Sequence, residues 1–279
     1  MRSSLRTAAR CVARSVARSP LLWSTVGTGL VRLGDLLRRS REVELTEQTA
    51  LLKSSPAFAN LCVLDGPFRG LRYPSRRTFG SALYPKLVGS YECEILPWLR
   101  HLQGRPYSAI HDIGCAEGYH AVGLAMLFPA ARVYAYDTDP DAREACHQTA
   151  IFNGVADRLV VSGTLTPEVL CRLDPREHAL VLCDCEGCEL GLFTPEVVQH
   201  LAGYDLIVEL HDFIDTTISR TLRERFAVTH KVALAAANAR DPDRYPVLRS
   251  LPALARRIAL DELRPEPMEW LLAESRAAS

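Results

Sequence analysis

The sequence predicts an α/β protein with a doubly wound, mostly parallel sheet. Three observations support this fold class. Apolar strands alternate with helical segments from residue 106 onward, helix-capping pairs stand between several of them, and the first strand ends in a glycine turn. Such alternation is typical of parallel sheets covered by helices on both faces. The 279 residues, 48% hydrophobic and 24% charged, suffice for one large domain with appendages.

The predicted elements follow in order along the chain. A strand at residues 108–113 leads into a glycine turn, and a second strand precedes a helix that Asp139 caps and Gly154 ends. Thr166-Pro167 and Thr194-Pro195 start two further helices by the same capping logic. The other six predicted strands are Arg132–Asp137, Leu159–Ser162, Ala179–Asp184, Asp205–Leu210, Ala227–Leu234 and Met268–Ala273.

The N-terminal segment, residues 1–41, is strongly basic, with nine arginines and one acid. Arginines recur every four residues from Arg2 to Arg18, which places them on one flank of a helix. The apolar stretch Leu21–Val31 is too short to span a bilayer. Three interpretations stay open: a helix that lies on a membrane through residues 1–34, a mitochondrial presequence, or a solvated helix. We predict a cytoplasmic protein, membrane-peripheral under the first interpretation.

The rest of the chain carries eight more acidic than basic residues. It therefore lacks the excess of positive charge that is typical of nucleic-acid-binding surfaces. Residues 42–105 are predicted to form a lead-in of a small hairpin at Gly66–Pro74 and one amphipathic helix at Ser81–Leu102. The domain itself is predicted at residues 106–279.

Nine cysteines without a secretory apolar segment predict free thiols in a reducing compartment. Cys183, Cys185 and Cys188 cluster, but the paired spacing and further ligands of a zinc site are missing. We interpret Cys183 and Cys185 as small buried residues on a strand.

The glycine turn after the first strand, Gly114 to Gly118, has the spacing G-x-x-x-G rather than the dinucleotide fingerprint G-x-G-x-x-G. Gly114 permits a sharp turn, and the free N–H groups after Gly118 suit a carboxylate. Asp112 can accept from an ammonium group, and Asp137 ends the second strand, where an acid binds ribose hydroxyls. These features indicate S-adenosylmethionine as the cofactor. The predicted cofactor-binding residues are Asp112, Gly114, Cys115, Ala116, Gly118, Asp137, Thr138 and Asp184.

Five motifs follow one another between residues 91 and 213. They are Asp112-Ile113-Gly114 with Gly118-Tyr119, Val133–Asp137, Asn153–Arg158, Asp184–Glu189 and Ile207–Asp212. Together they resemble the FkbM-type S-adenosylmethionine-dependent methyltransferases, and the most specific of them is the D-x-E-G-x-E motif at residues 184–189.

The resemblance implies a class I methyltransferase (Rossmann-like) fold with strand order 3-2-1-4-5-7-6 and strand seven antiparallel. It also implies O-methylation of a sugar or polyketide hydroxyl. The chain departs from the family at Cys115-Ala116-Glu117, where Glu117 puts a negative charge beside the cofactor loop.

Acidic residues and a histidine end the fourth and fifth strands, whose carboxyl ends should be neighbours. We predict that His211 is the base that takes a hydroxyl proton, because its ordinary pKa lies near neutrality. Asp184 is the second candidate for the base, and Glu186, on the same face of the strand end, is the third predicted catalytic residue. Glu209 is expected to orient His211 or to pair with an arginine.

Purely structural roles are also open for some of these residues. Glu186 and Glu189 suit the first turn of the helix after strand four. His211 can serve as a structural hydrogen-bonding residue. A divalent metal ion held by Asp184 and Asp212 is an alternative, but we predict no metal site.

The predicted function is O-methylation of a small-molecule, sugar, glycan or polyketide-type acceptor. N-methylation by the same fold is an alternative, although the D/N-P-P-Y/F motif that favours it is absent after strand four. An NAD-dependent oxidoreductase would require the missing G-x-G-x-x-G motif. A non-catalytic relative that binds the cofactor is the remaining alternative.

Overall fold

The computed structural model describes residues 13–14, 16–19, 23–264, 266 and 268–276. The chain divides into two compact units, residues 1–53 and 54–279. The first unit contains a π-helical turn, Trp23–Gly27, followed by a long helix α1, Thr28–Ser54.

The predicted boundary after residue 41 falls inside α1. Arg2, Arg6, Arg10 and the first residues of the apolar stretch lie outside the described residues, so the membrane contact of residues 1–34 stays a prediction. Within the described part of the chain, no helix is both long and apolar enough to cross a membrane.

The second unit is built on one seven-stranded sheet with the order β3-β2-β1-β4-β5-β7-β6. Strands β1 to β5 pair in parallel, and β7 runs antiparallel between β5 and β6. This order and its single antiparallel strand confirm the predicted class I methyltransferase fold. The strands are β1 Ala109–Ile113, β2 Arg132–Tyr136, β3 Leu159–Ser162, β4 Ala179–Cys183, β5 Asp205–Leu210, β6 His230–Ala236 and β7 Glu269–Ser275.

Nine further helices belong to the described residues of this unit, together with short 3₁₀ turns at Pro56–Phe58, Pro242–Arg244 and Pro246–Leu248. The helices are α2 Leu83–Val88, α3 Leu96–Leu102, α4 Tyr119–Leu127, α5 Pro140–Phe152, α6 Pro167–Leu170, α7 Glu189–Leu192, α8 Pro195–His200, α9 Ile218–Phe226 and α10 Ala253–Ile258.

Two of the three predicted helix caps, Asp139 and Thr194, make the expected bonds. The Asp139 carboxylate accepts from the Asp141 N–H at 2.8 Å, and the Thr194 hydroxyl oxygen accepts from the Val197 N–H at 3.3 Å. Each satisfies a backbone donor that has no partner within the helix. Helix α6 begins at Pro167 as expected, but the Thr166 side chain makes no capping bond.

The predicted single helix over Ser81–Leu102 is wrong, because the chain forms two short helices there. Gly89 ends α2 with φ 85°, and its N–H bonds to the Pro85 and Lys86 carbonyls. A Cβ at Gly89 would stand 2.3 Å from the Asp65 carbonyl oxygen, so the chain packs closely at this break. The apolar residues at helical spacing are buried in this arrangement too, among them Leu87, Ile95 and Leu99.

Two smaller differences concern strands. The sixth strand runs from His230 to Ala236, whereas the sequence placed it at Ala227–Leu234. The hairpin near Gly66 is reduced to one antiparallel bridge between Cys62 and Arg72. Strands β1, β4 and β5 are buried along their whole length, as expected for central strands covered on both faces.

Asp205, at the start of β5, ties the sheet to the segment that precedes β1. Its buried carboxylate accepts from the Tyr107 hydroxyl and from the Arg105 guanidinium, both at 2.6 Å. It also accepts from the Ser275 N–H at the end of β7, at 2.9 Å. One buried carboxylate therefore holds three segments together.

We predict that Asp205→Ala lowers the free energy of unfolding by about 3–5 kcal/mol, because it leaves a tyrosine hydroxyl and an arginine without their buried partner. Urea unfolding followed by circular dichroism measures the change. Asp174→Ala is the control: its exposed carboxylate pairs with the exposed Arg176, and no measurable change is expected. Equal stability of the two variants would contradict the structural role of Asp205.

Candidate active site

A cavity of about 700 Å³ opens at the carboxyl edge of the sheet. Its walls come from the loops that follow β1 to β5, from residues 79–91, and from residues 262–264 with Met268. Strand order reverses beside β1, which has β2 on one side and β4 on the other. Open α/β sheets bind their ligands at this kind of switch point.

The glycine turn forms the floor of the cavity between β1 and α4. Gly114 has φ 88°, and a Cβ there would stand 1.7 Å from the Asp184 carbonyl oxygen. The N–H groups of Gly114 and Cys115 both donate to the Tyr136 carbonyl, at 2.8 and 2.9 Å. The turn is thus fixed against β2 on one side and against the end of β4 on the other.

Asp137 connects the glycine turn to the end of β2. One carboxylate oxygen accepts from the Ala116 N–H and the other from the Asp139 N–H, each at 2.9 Å. The side chain is half-buried and lines the cavity with Thr138. Since each carboxylate oxygen can accept a second hydrogen bond, Asp137 can still bind a pair of hydroxyls.

Six of the eight predicted cofactor residues line the cavity: Gly114, Cys115, Ala116, Asp137, Thr138 and Asp184. Gly118 and Asp112 do not. Gly118 has φ 94° and packs against Val122 and Cys146, so it shapes the start of α4.

Asp112 is fully buried behind the cavity wall. Burial, aided by the charges of Asp184 and Glu92, raises its pKa to about 7. Its predicted bond to a ligand ammonium group stays a prediction.

His211 is held by Glu189 in a buried pair. The His211 Nδ1 lies 2.5 Å from a Glu189 carboxylate oxygen, and that oxygen also accepts from the Gly187 N–H at 3.1 Å. Both side chains are about 1% exposed or less. With Nδ1 donating to Glu189, the Nε2 atom is left as the acceptor that faces the cavity.

Three carboxylates surround the Nε2 atom of His211: Asp184 at 3.4 Å, Glu186 at 3.5 Å and Glu209 at 3.6 Å. The structure therefore brings together the three predicted catalytic residues, which are His211, Asp184 and Glu186. Burial alone would lower the pKa of His211, but the hydrogen bond to Glu189 and the nearby negative charges outweigh burial and raise that pKa.

Glu209 pairs with an arginine rather than orienting His211. The Arg264 guanidinium donates to Glu209, and it also donates to Glu262 at 2.7 Å. Burial and the charges of Asp184 and Glu92 raise the pKa of Glu209 well above its ordinary value. Burial and the charge of Glu92 also raise the pKa of Asp184.

Some of these carboxylates have the arrangement of metal ligands. Asp184, Glu186 and His211 each offer one ligand atom within 4.8 Å of the others, and so do Glu92, Asp184 and Glu209. Asp212, the second ligand weighed from the sequence, is engaged elsewhere, because its carboxylate accepts from the Ser219 N–H and hydroxyl. A metal ion on the first set would occupy the His211 atom that faces the cavity.

Cys185 and Cys188 form a disulfide, which corrects the prediction of free thiols for this pair. The bond closes a four-residue loop around Glu186 and Gly187, whose φ values are 53° and 99°. These positive φ values bring the two cysteines close in space, which a count of cysteines cannot reveal. Cys183 is free and buried on β4, as predicted, whereas the interpretation of Cys185 as a buried strand residue is wrong, because Cys185 lies past the end of β4 and is half-buried.

Sequence reasoning did not assign Lys86 or Arg264 to the site, and it missed one role of Glu189. Lys86 and Arg264 both line the cavity. Glu189 was interpreted as a helix-start residue, although its place in D-x-E-G-x-E was a usable signal. Its bond to the Gly187 N–H serves the helix start, and its bond to His211 serves the site.

Comparison with known proteins gives partial matches. No family model matches the chain. The chain is 30% identical over 112 residues to a probable cobalt-precorrin-6B C(15)-methyltransferase (decarboxylating) of Pyrobaculum calidifontis, covering 36% of this chain and 57% of that protein. It is 36% identical over 90 residues to the ribosomal protein L11 methyltransferase of Acinetobacter baumannii, covering 32% of this chain and 29% of that protein. The chain therefore spans less than two thirds of either relative.

Solved structures give similarly distant matches. A precorrin-6y C5,15-methyltransferase from Geobacter metallireducens superposes with a TM-score of 0.43 and 14% identity, covering 63% of this chain and 84% of that one. The O-methyltransferase TomG from Streptomyces achromogenes, in complex with SAM, superposes with a TM-score of 0.40 and 13% identity, covering 64% of this chain and 80% of that one. The fold assignment rests on the strand order and not on these superpositions.

Proposed function

We propose that this chain is an S-adenosylmethionine-dependent methyltransferase of the FkbM type, which methylates a hydroxyl oxygen of a small molecule, sugar or polyketide-type acceptor. One observation carries the proposal: a single cavity is lined both by the glycine turn with Asp137 and by His211 with its carboxylates. A nucleotide-like cofactor and a base for an acceptor hydroxyl can thus meet in one place.

The residues at the turn fit the proposed cofactor. The Asp137 carboxylate would accept from the ribose hydroxyls, as acids at the end of the second strand do in nucleotide sites. Gly114 and Ala116 line the cavity, and the missing side chain of Gly114 lets the turn lie against the Asp184 backbone, so the turn and the end of β4 face the same space. When bound, S-adenosylmethionine supplies an electrophilic methyl group on a positively charged sulfur.

His211 would take the proton of the acceptor hydroxyl at Nε2. Glu189 holds the ring in the orientation and tautomer that leave this atom free, the role that a buried carboxylate plays for histidine bases elsewhere. A positioned base of this kind contributes about 10²–10⁴-fold to the rate. Asp184 is the alternative base, since its raised pKa improves it as a proton acceptor.

The segment after β4 supports oxygen over nitrogen as the acceptor atom. The chain has Asp184-Cys185-Glu186-Gly187 where a D/N-P-P-Y/F motif would favour an amino group. The residues around His211 offer carboxylates and an imidazole, which suit removal of a hydroxyl proton.

The direct test uses isotopically labelled S-adenosylmethionine with a small-molecule extract. Mass spectrometry should detect a labelled methyl ether that depends on the protein and persists in EDTA. Calorimetry without any acceptor measures cofactor binding separately. A protein that neither binds the cofactor nor labels a product would overturn the proposal.

We predict that Asp137→Asn weakens S-adenosylmethionine binding by about 10- to 100-fold, the loss typical of hydrogen bonds to a charged group. Calorimetry measures the affinity. Asp157→Asn, an exposed acid before β3, is the matched control and should bind as the wild type does. Unchanged affinity in Asp137→Asn would remove its role at the ribose.

We predict that His211→Ala lowers kcat by about 10²–10⁴-fold while cofactor affinity is retained, because the base acts on the acceptor. Steady-state kinetics with the identified acceptor and calorimetry with the cofactor measure the two quantities. His147→Ala, an exposed histidine on α5, serves as control. If turnover survives in His211→Ala, Asp184 becomes the favoured base.

We predict a pH dependence governed by His211. Nε2 accepts a proton only when the ring is neutral, so kcat should rise with pH through a pKa that is raised above the ordinary histidine value. Glu189→Gln keeps an oxygen for the Gly187 N–H but removes a charge that raises the pKa. Its rising limb should therefore shift to lower pH, with a smaller maximal kcat. A pH profile that is the same in both proteins would contradict the pairing.

A further inference from the structure

Lys86 and Glu117 form a buried ion pair beside the glycine turn, which accounts for the charge of Glu117. The Lys86 ammonium donates to the Glu117 carboxylate and, at 2.6 Å, to the Ser81 hydroxyl oxygen. The other oxygen of Glu117 accepts from the Phe79 N–H at 3.1 Å. Both side chains are 3% exposed or less.

Stability alone does not explain such a pair. Replacing a buried ion pair by apolar side chains of similar volume is often neutral or stabilising, because desolvation of two charges offsets their attraction. A buried lysine therefore suggests a use for its charge. The Lys86 ammonium also lies 4.8 Å from the ring centre of Tyr91 and 5.5 Å from that of Tyr119, which favours a fixed cation.

The two members of the pair face different cavities. Lys86 lines the large cavity, together with Ser81, Tyr91 and Tyr119. Glu117 lies behind it and lines only a separate cavity of about 290 Å³. Glu117 thus contacts the ammonium group from outside the large cavity, whereas Lys86 itself forms part of the cavity wall beside the glycine turn.

The Lys86 ammonium has one donor to spare. Of its three N–H groups, two are used by Ser81 and Glu117 within the described residues. Arg264, the other strong base of the cavity wall, lies among the carboxylates of Glu92, Glu209 and Glu262, which repel a ligand carboxylate. Among the described residues, Lys86 is therefore the strong base best able to receive an anionic group near the turn.

We propose that Lys86 binds the α-carboxylate of the methionine moiety of S-adenosylmethionine, with Glu117 as its positioning residue. The inference rests on the proposed function and deepens it. Asp184, Glu186 and Glu209 gather around His211, so a carboxylate is repelled there and drawn towards Lys86. The same acids favour the positively charged sulfur.

The test compares S-adenosylmethionine with decarboxylated S-adenosylmethionine, which keeps the sulfonium and the amine and lacks only the carboxylate. The variant is Lys86→Met with Glu117→Gln, because removing both charges avoids a lone buried carboxylate. The wild type should bind S-adenosylmethionine about 10- to 100-fold more tightly than the decarboxylated compound. The double variant should bind both with similar affinity.

Two single variants complete the design. Lys231→Met changes an exposed lysine on β6 and should keep the wild-type preference. Glu117→Gln keeps the ammonium group of Lys86 and should retain the preference for the carboxylate. Calorimetry gives the affinities, and circular dichroism checks the fold.

The outcomes separate the two proposals. If the wild type binds neither compound, the proposed function fails. If the double variant folds and still prefers S-adenosylmethionine as strongly as the wild type, the function stands and the role of Lys86 is wrong. If Lys231→Met loses the preference as the double variant does, the loss is not specific to Lys86, and the assignment of Lys86 as the anchor is overturned.

Discussion

The contact between Gly114 and the backbone of Asp184 is the constraint on which the rest of the site depends. Strands β1 and β4 stay paired as far as Ile113 and Cys183. One residue later, the missing side chain of Gly114 lets the backbone after β1 contact the backbone after β4, since a Cβ there would stand 1.7 Å from the Asp184 carbonyl oxygen. Because no side chain separates them, the glycine turn and the acidic end of β4 open into one cavity.

Local pattern was enough to predict the sheet and the turn. Each central strand is a short apolar run, and Asp139 and Thr194 mark helix starts through bonds to residues two or three positions away. The position of Asp137 beside the glycine turn could be predicted because its distance from Gly118 along the chain is fixed by one helix and one strand. The strand order came from the resemblance to a family, because alternation alone permits several orders.

The residues that sequence could not assign are those whose partners lie far along the chain. Lys86 meets Glu117, and Arg264 meets Glu209, across 31 and 55 residues, and nothing in either local pattern signals the pairing. The break between α2 and α3 has the same origin, since Gly89 is needed for its approach to Asp65. The Cys185–Cys188 bond was missed for another reason, because two positive φ values set its geometry.

The charges of the cavity wall differ from one side to the other. Asp184, Glu186 and Glu209 lie within 3.6 Å of His211 at the ends of β4 and β5, whereas the Lys86 ammonium belongs to the group around the glycine turn. A ligand that carries a carboxylate at one end and a cationic centre nearer its middle is therefore favoured in one direction only. In that direction the sulfur and the methyl group of the proposed cofactor would face the acidic side, next to His211. Orientation by charge would thus place the methyl group towards the proposed base before any acceptor binds, and alignment of reacting groups can supply about 7–11 kcal/mol of the barrier.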